Sequence, residues 1–157
     1  MTDRVEVSLT VNGRPTTRVV SAHLSLLQLL HDEAGVADPK YGCGEGVCGT
    51  CTVLLDGEPV SSCIVLAAQA HGGEVLTASG LTSPDGTPSP LQEAFHLYHA
   101  AQCGFCTPGM LMCATAILAG SEPLSRAQIR EGLHGNLCRC TGYGPIVDAI
   151  EAARGVR

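Results

Sequence analysis

Three cysteines, Cys43, Cys48 and Cys51, stand at a C-x4-C-x2-C spacing, and Cys63 follows after eleven further residues. That is the plant-type spacing of [2Fe–2S] ligands. Four thiolates suffice for two irons, because each tetrahedral iron also shares two bridging sulfides. The interleaved glycines carry as much of the reading. Gly42, Gly44, Gly46 and Gly49 take positive φ at no steric cost, so the loop is expected to wrap closely round its contents. A wrapped loop aims N–H groups at the sulfurs, and those bonds stabilise the charge added on reduction. Zinc also takes four cysteines, but usually as C-x2-C knuckles far apart. Three ligands crowded into nine residues favour the two-iron cluster.

A second set lies further on: Cys103-Gly104-Phe105-Cys106 and Cys138-Arg139-Cys140. Four thiolates brought to one place would again hold a metal or a cluster. The spacing is less telling, since C-x2-C also occurs in zinc knuckles and thiol oxidoreductases. From spacing alone, zinc and a second cluster both remain open.

The other candidates read as bystanders. Cys113, the ninth cysteine, sits in an apolar helical run and reads as a small core hydrophobe. The six histidines show no ligand pairing; His96 and His99 share a helix face without a third partner. Arg139 would offset cluster charge, contact a cofactor phosphate, or lie in solvent or a subunit interface. Glu45 is a loop surface charge or a partner for the loop backbone. No Ser/His/Asp set, P-loop or dinucleotide-binding glycine pattern is present, and no catalytic residue is assigned.

The elements that must position these cysteines fall into two halves. Val5, Val7, Leu9 and Val11 alternate with polar residues, Asn12-Gly13 turns, and Thr16 to Val20 return: a β-hairpin. Leu24, Leu27, Leu30 and Ala34 recur at helical spacing and Gly35 stops the helix. Thr52 to Leu55 and Pro59 to Ser61 flank Asp56-Gly57 as a second hairpin, which brings Cys63 back to the loop. Ile64 to Ala70 reads as a short helix and Glu74 to Thr77 as a closing strand. Residues 79–90, rich in proline and glycine, have linker composition. Four short helices follow: one through Leu91, Phe95 and Tyr98, one opened by Thr107 as cap with Pro108, one capped by Ser125, and one opened by Pro145. The expected fold is α+β, a compact domain at 1–78, a linker at 79–90 and a helical domain at 91–157. In that arrangement both halves of the second cysteine set lie at helix junctions, where an antiparallel bundle would gather them at one end.

Composition bounds the function. Charged residues are 15% of the chain, below the usual roughly 25%, which points either to surface covered by partner subunits or simply to a Gly/Ala-rich composition. A net charge of −6 and the absence of tryptophan disfavour nucleic acid. The first residues have neither a basic run nor an apolar core of a leader, and no stretch is long enough to span a membrane. A cysteine-rich chain of that kind reads as cytoplasmic and metal-binding rather than disulfide-stapled.

Over nearly its whole length the chain resembles the small iron–sulfur subunit of the molybdenum hydroxylases, the xanthine dehydrogenase, aldehyde oxidoreductase and carbon monoxide dehydrogenase family. The resemblance rests on Gly42-Cys43-Gly44-Glu45-Gly46-Val47-Cys48-Gly49-Thr50-Cys51, on Gln102-Cys103-Gly104-Phe105-Cys106-Thr107-Pro108-Gly109-Met110 and on Gly135-Asn136-Leu137-Cys138-Arg139-Cys140-Thr141-Gly142-Tyr143. It implies a ferredoxin-like β-grasp domain with one [2Fe–2S] cluster on Cys43, Cys48, Cys51 and Cys63. It implies a four-helix-bundle-like domain with a second on Cys103, Cys106, Cys138 and Cys140. It places Gln102 and Cys140 beside the molybdopterin of a large partner subunit, and the first cluster towards FAD on a medium subunit, in a pair of heterotrimers. The function implied is electron transfer during oxidation of an aldehyde, N-heterocycle, CO or similar substrate. A free-standing ferredoxin or redox sensor, and a zinc-stabilised adaptor, are the alternatives. Two positions depart from the pattern: Thr50 stands where many relatives have alanine, and Ser61-Ser62 precede Cys63 where a basic residue is frequent.

Overall fold

A computed structural model describes residues 3–120 and 124–154. The expected domains' ends at 1–2 and 155–157 lie outside the described residues. Strands β1 (Arg4–Val11) and β2 (Arg14–Ser21) pair antiparallel about Asn12-Gly13. Both turn residues have positive φ, the conformation that matches a tight turn to strand twist. Strands β3 (Thr52–Leu55) and β4 (Glu58–Ser61) do the same about Asp56-Gly57. Strand β5 (Glu74–Leu76) lies between the hairpins, parallel to β1 and antiparallel to β3, so the sheet order is β2-β1-β5-β3-β4. Its buried face carries Val7, Leu9, Val11, Val53 and Val75.

Leu26, Leu29 and Leu30 pack into that face. They lie on α1 (Leu26–Gln28), capped by Ser25, and on a π-helical turn, Leu29–Glu33. The wider turn is closed by the Ala34 amide on the Leu29 carbonyl at 3.0 Å. The helix expected over Ile64–Ala70 shrinks to a 3-10 turn at Ala67–Ala70. The reason is local: Leu66 bridges Ser25, and the Leu26 amide bonds the Val65 carbonyl, which holds the preceding residues extended.

The second half holds α2 (Pro90–Leu97), α3 (Thr107–Ala119), α4 (Arg126–Gly132) and α5 (Gly144–Ala153). Ser89 and Ser125 cap α2 and α4 through reciprocal bonds with Gln92 and Gln128. Two expectations need correction. Tyr98 is the half-exposed C-cap of α2, not part of its buried face. The N-cap of α3 is Cys106 rather than Thr107, because the Cys106 carbonyl already accepts from the Met110 amide at 3.0 Å. Thr107 moves one place into the helix, where its hydroxyl is buried without a hydrogen-bond partner.

The two halves are pressed together rather than strung apart. Ala78, at the start of the 3-10 turn Ala78–Leu81, and Leu54 of β3 join the core built by Phe95, Met110, Ile129, Ile146 and Ile150. At the contact, the Gly49 carbonyl accepts from the Thr52 hydroxyl at 2.7 Å and from Asn136 Nδ2 at 3.0 Å. Asn136 is 5% exposed, so this polar contact is sealed from water. Gly109, in the first turn of α3, lies so close that a Cβ there would meet the Gly49 carbonyl oxygen at 2.2 Å.

Gly109→Ala therefore reverses the usual sign of a helical glycine substitution. In open space it would stabilise by roughly 0.5–1 kcal/mol. Here it should destabilise by about 1–3 kcal/mol, because the obstacle is backbone. Thermal unfolding of the holoprotein reads the sign directly; a raised Tm would remove the close interdomain contact.

Candidate metal centres

The first loop folds as its glycines require, with one exception. Gly44, Gly46 and Gly49 have positive φ, whereas Gly42 does not. Gly42 is needed for space instead: a Cβ there would lie 2.7 Å from Thr50 Oγ1 and 2.9 Å from Cys48 Sγ. The wrapped loop turns amides on to sulfur. Cys43 Sγ accepts from Val47 N at 3.3 Å and from Glu45 N and Cys48 N at 3.4 Å each. Those bonds, that from Glu45 foremost, hold the Cys43 thiol down at about 6. Glu45 thus serves the loop with its amide, while its side chain is exposed.

Strand β4 returns Cys63 to this loop, where the Gly46 amide points at its sulfur. Ser62, fully buried, ties the return by donating its hydroxyl to the Cys51 carbonyl at 2.7 Å. Burial, and then the neighbouring Cys51 thiol, push Cys63 up to about 11.

The second set assembles at one end of the helices, as the junction argument expected. Cys103 lies before α3 and Cys106 caps it, while Cys138 and Cys140 lie on the α4–α5 connection. Cys103 is lowered, chiefly by the Phe105 amide, and its partner Cys140 is raised, chiefly by the Cys103 thiol. Burial, followed by Cys138, pushes Cys106 up to about 12. Burial also pushes Cys138 upward, but the Thr141 hydroxyl and amide and the Cys140 amide outweigh it, and Cys138 is lowered on balance. Tyr143 braces this loop from a left-handed backbone position, φ 67°. Its hydroxyl accepts from the Cys138 amide at 3.0 Å. Such strain in a non-glycine residue costs on the order of 1–3 kcal/mol and persists only where surrounding contacts fix it.

The sulfurs fall into pairs, which is the test of fit for a two-iron cluster. Cys43 contacts Cys48, and Cys51 contacts Cys63. Cys103 and Cys140 sulfurs are 3.5 Å apart, and Cys106 contacts Cys138. Each iron of such a cluster takes two protein thiolates, so two pairs per set suit it. Among the described residues no group of three or more His, Cys, Asp or Glu side chains is arranged around one metal ion. A cleft of about 510 Å³ runs between the two loops, lined from both sets by Cys43, Cys48, Cys103, Cys106, Cys138 and Cys140. At its edge the Leu137 amide donates to the Cys48 carbonyl at 2.9 Å. One backbone bond thus joins a candidate ligand of the first set to the residue before a candidate ligand of the second.

Gln102 is exposed beside Cys103, Cys140 is exposed, and Arg139 between Cys138 and Cys140 is exposed. Cys113 stays apart from both sets: it is buried, raised by burial, and donates to the Gly132 carbonyl at 3.0 Å. Sequence reasoning passed over Asn136, Ser62, Thr141 and Tyr143 as working parts. A usable signal was present for Ser62 and Thr141, each a hydroxyl adjoining a motif cysteine. None was available for Asn136, whose partners Gly49 and Thr52 are 87 and 84 residues away.

Comparison with known proteins identifies the cluster type and the fold. The chain matches the family described as a 2Fe-2S iron-sulfur cluster binding domain over residues 9–81, and the family described as a [2Fe-2S] binding domain over residues 77–151. It is 48% identical to the nicotine 6-hydroxylase small subunit of Paenarthrobacter nicotinovorans, over 98% of this chain and 92% of that one. It is 43% identical to the xanthine dehydrogenase iron-sulfur-binding subunit of Escherichia coli O157:H7, over 94% and 93%. The crystal structure of quinoline 2-oxidoreductase from Pseudomonas putida 86 superposes with a TM-score of 0.93 at 44% identity, over 98% and 95%. Two [2Fe–2S] clusters are therefore this chain's cofactors, and its fold is a ferredoxin-like domain followed by a helical one.

Cys113→Ala should leave the iron and acid-labile sulfide of the purified protein unchanged while lowering stability by about 1 kcal/mol. Metal analysis beside a denaturation curve checks both; a fall in iron would make Cys113 a ligand.

Proposed function

The chain belongs to the small iron–sulfur subunit family of the molybdenum hydroxylases, and from that premise we propose that it relays single electrons from a molybdopterin-bearing large subunit to a FAD-bearing medium subunit. Bound clusters supply one-electron chemistry, which lets a two-electron oxidation feed a flavin in two steps. The chain has no substrate-converting centre of its own. Cys43, Cys48, Cys51 and Cys63 hold one cluster, and Cys103, Cys106, Cys138 and Cys140 hold the other.

The observation that carries this reading is the Leu137–Cys48 backbone bond between the two cysteine loops. A protein needing only one carrier has no use for two sets locked edge to edge. Exposed apolar side chains flank each loop: Tyr41, Val47 and Ile64 at the first, Phe105 and Leu137 at the second. Such surface suits coverage by partner chains. Gln102 and Cys140 face the pterin in this reading, and their exposure in the isolated chain supports it. The reported relatives are named for nicotine, xanthine and quinoline, which favours a nitrogen heterocycle as the substrate of the complex.

Two substitutions separate the parts. Cys48→Ser should abolish the first cluster and leave the second; simultaneous loss of both EPR signals would contradict separate ligand sets. Gln102→Ala should keep both clusters but slow their reduction by substrate in rapid-freeze experiments. An unchanged rate would remove Gln102 from the pterin contact.

A further inference from the structure

Cys48, which makes the interloop bond, and Cys138, which follows Leu137, share a feature that none of the other six cysteines of these sets shows among the described residues: a threonine hydroxyl on the sulfur. Thr50 Oγ1 lies 3.2 Å from Cys48 Sγ, and Thr141 Oγ1 lies 3.1 Å from Cys138 Sγ. A hydroxyl has one proton to donate. Their situations differ in where that proton is drawn. Thr141 oxygen accepts from the Tyr143 amide at 3.2 Å, which leaves its own proton free for Cys138. Thr50 is buried at 6% exposure, and the Lys40 carbonyl, 3.1 Å away, competes for its proton.

We propose that Thr50 and Thr141 set the reduction potentials of the first and second clusters respectively, Thr141 as a fixed donor and Thr50 as a rotor whose proton turns from the Lys40 carbonyl to Cys48 Sγ on reduction. This rests on the ligand assignment above. Reduction adds one negative charge to the cluster, part of it on the thiolates, and a hydrogen bond to a charged acceptor is about twice as strong as one to a neutral group. The electron enters from one neighbouring carrier and leaves to the next. The hydroxyl proton stays on its oxygen throughout, so no proton is exchanged. Because Thr50 must give up the Lys40 carbonyl to serve Cys48, its net contribution is the smaller of the two. The hydroxyls are positioning residues: they touch thiolates, not substrate.

The test is an EPR-monitored redox titration of the intact complex, with iron and sulfide counted in each sample. Thr141→Val should move the second midpoint to lower potential, by about a tenfold change in the reduced-to-oxidised ratio, or about 59 mV for a one-electron couple. Thr50→Val should lower the first midpoint by less. Each change should leave the other midpoint in place, and Thr→Ser at either position should restore the parent value. Because a valine variant can fail to load its cluster, deuterium exchange in the unmutated complex gives an independent reading. Beside the amide protons already on sulfur, ENDOR should find one further exchangeable proton coupled to each reduced cluster, which Thr50→Ser and Thr141→Ser should retain; its absence overturns the hydroxyl assignment. Loaded variants with unmoved or raised midpoints, or serine variants that behave like valine, overturn the hydroxyl assignment alone. Absence of [2Fe–2S] signals from the unmutated complex overturns the ligand assignment beneath it.

Discussion

The Gly49 carbonyl is the point on which the two domains meet, and the structure around it depends on its being crowded. It accepts from the Thr52 amide, the Thr52 hydroxyl and Asn136, and Gly109 packs against it. A buried acceptor left without donors would cost about 1–3 kcal/mol, so the donors on both sides hold the domains in one register. That register makes the neighbouring bond possible, from the Leu137 amide to the Cys48 carbonyl. Two loops that each grip sulfur with their own amides are thereby held edge to edge. Shared hydrophobic burial, with Leu54 and Ala78 from the first half in the helical core, adds the non-directional part of the same docking.

Within each loop, burial and hydrogen bonding pull the thiols in opposite directions. Exposed sulfurs with several amide donors, such as Cys43, are lowered; more deeply placed sulfurs, such as the partly buried Cys63 and the buried Cys106, are raised. A cluster ligand must be a thiolate, so loading displaces the protons that the raised members keep. The donors remain afterwards, aimed at sulfurs that carry the cluster's charge. The same backbone geometry thus prepares the site for loading and later stabilises its reduced form.

Much of this was legible in the chain. The cysteine spacings, the Asn12-Gly13 and Asp56-Gly57 turns, and the Ser125 cap each have a local physical cause, and each is found in the structure. The errors also have causes. The glycine pattern predicts positive φ at Gly42, but a side-chain contact 8 residues along the chain, with Thr50, is what excludes a Cβ there. Thr107 looked like a cap because threonine–proline commonly opens a helix, yet the turn before it moved the cap to Cys106. The helix at Ile64–Ala70 gave way to a bridge with Ser25 that no local pattern announces. Asn136 stands in a quoted motif, but its role exists only once the two domains are docked. Short-range chemistry is written in neighbouring residues; docking between halves is written in pairs too far apart to read from one sequence.

In the proposed relay both cysteine sets hold [2Fe–2S] clusters. Low-temperature EPR of the anaerobically purified, dithionite-reduced protein, with iron and acid-labile sulfide counted on the same sample, tests it most directly. Two distinguishable [2Fe–2S] signals of equal intensity are expected. Zinc in place of iron at Cys103, Cys106, Cys138 and Cys140, with a single signal and half the sulfide, would contradict it.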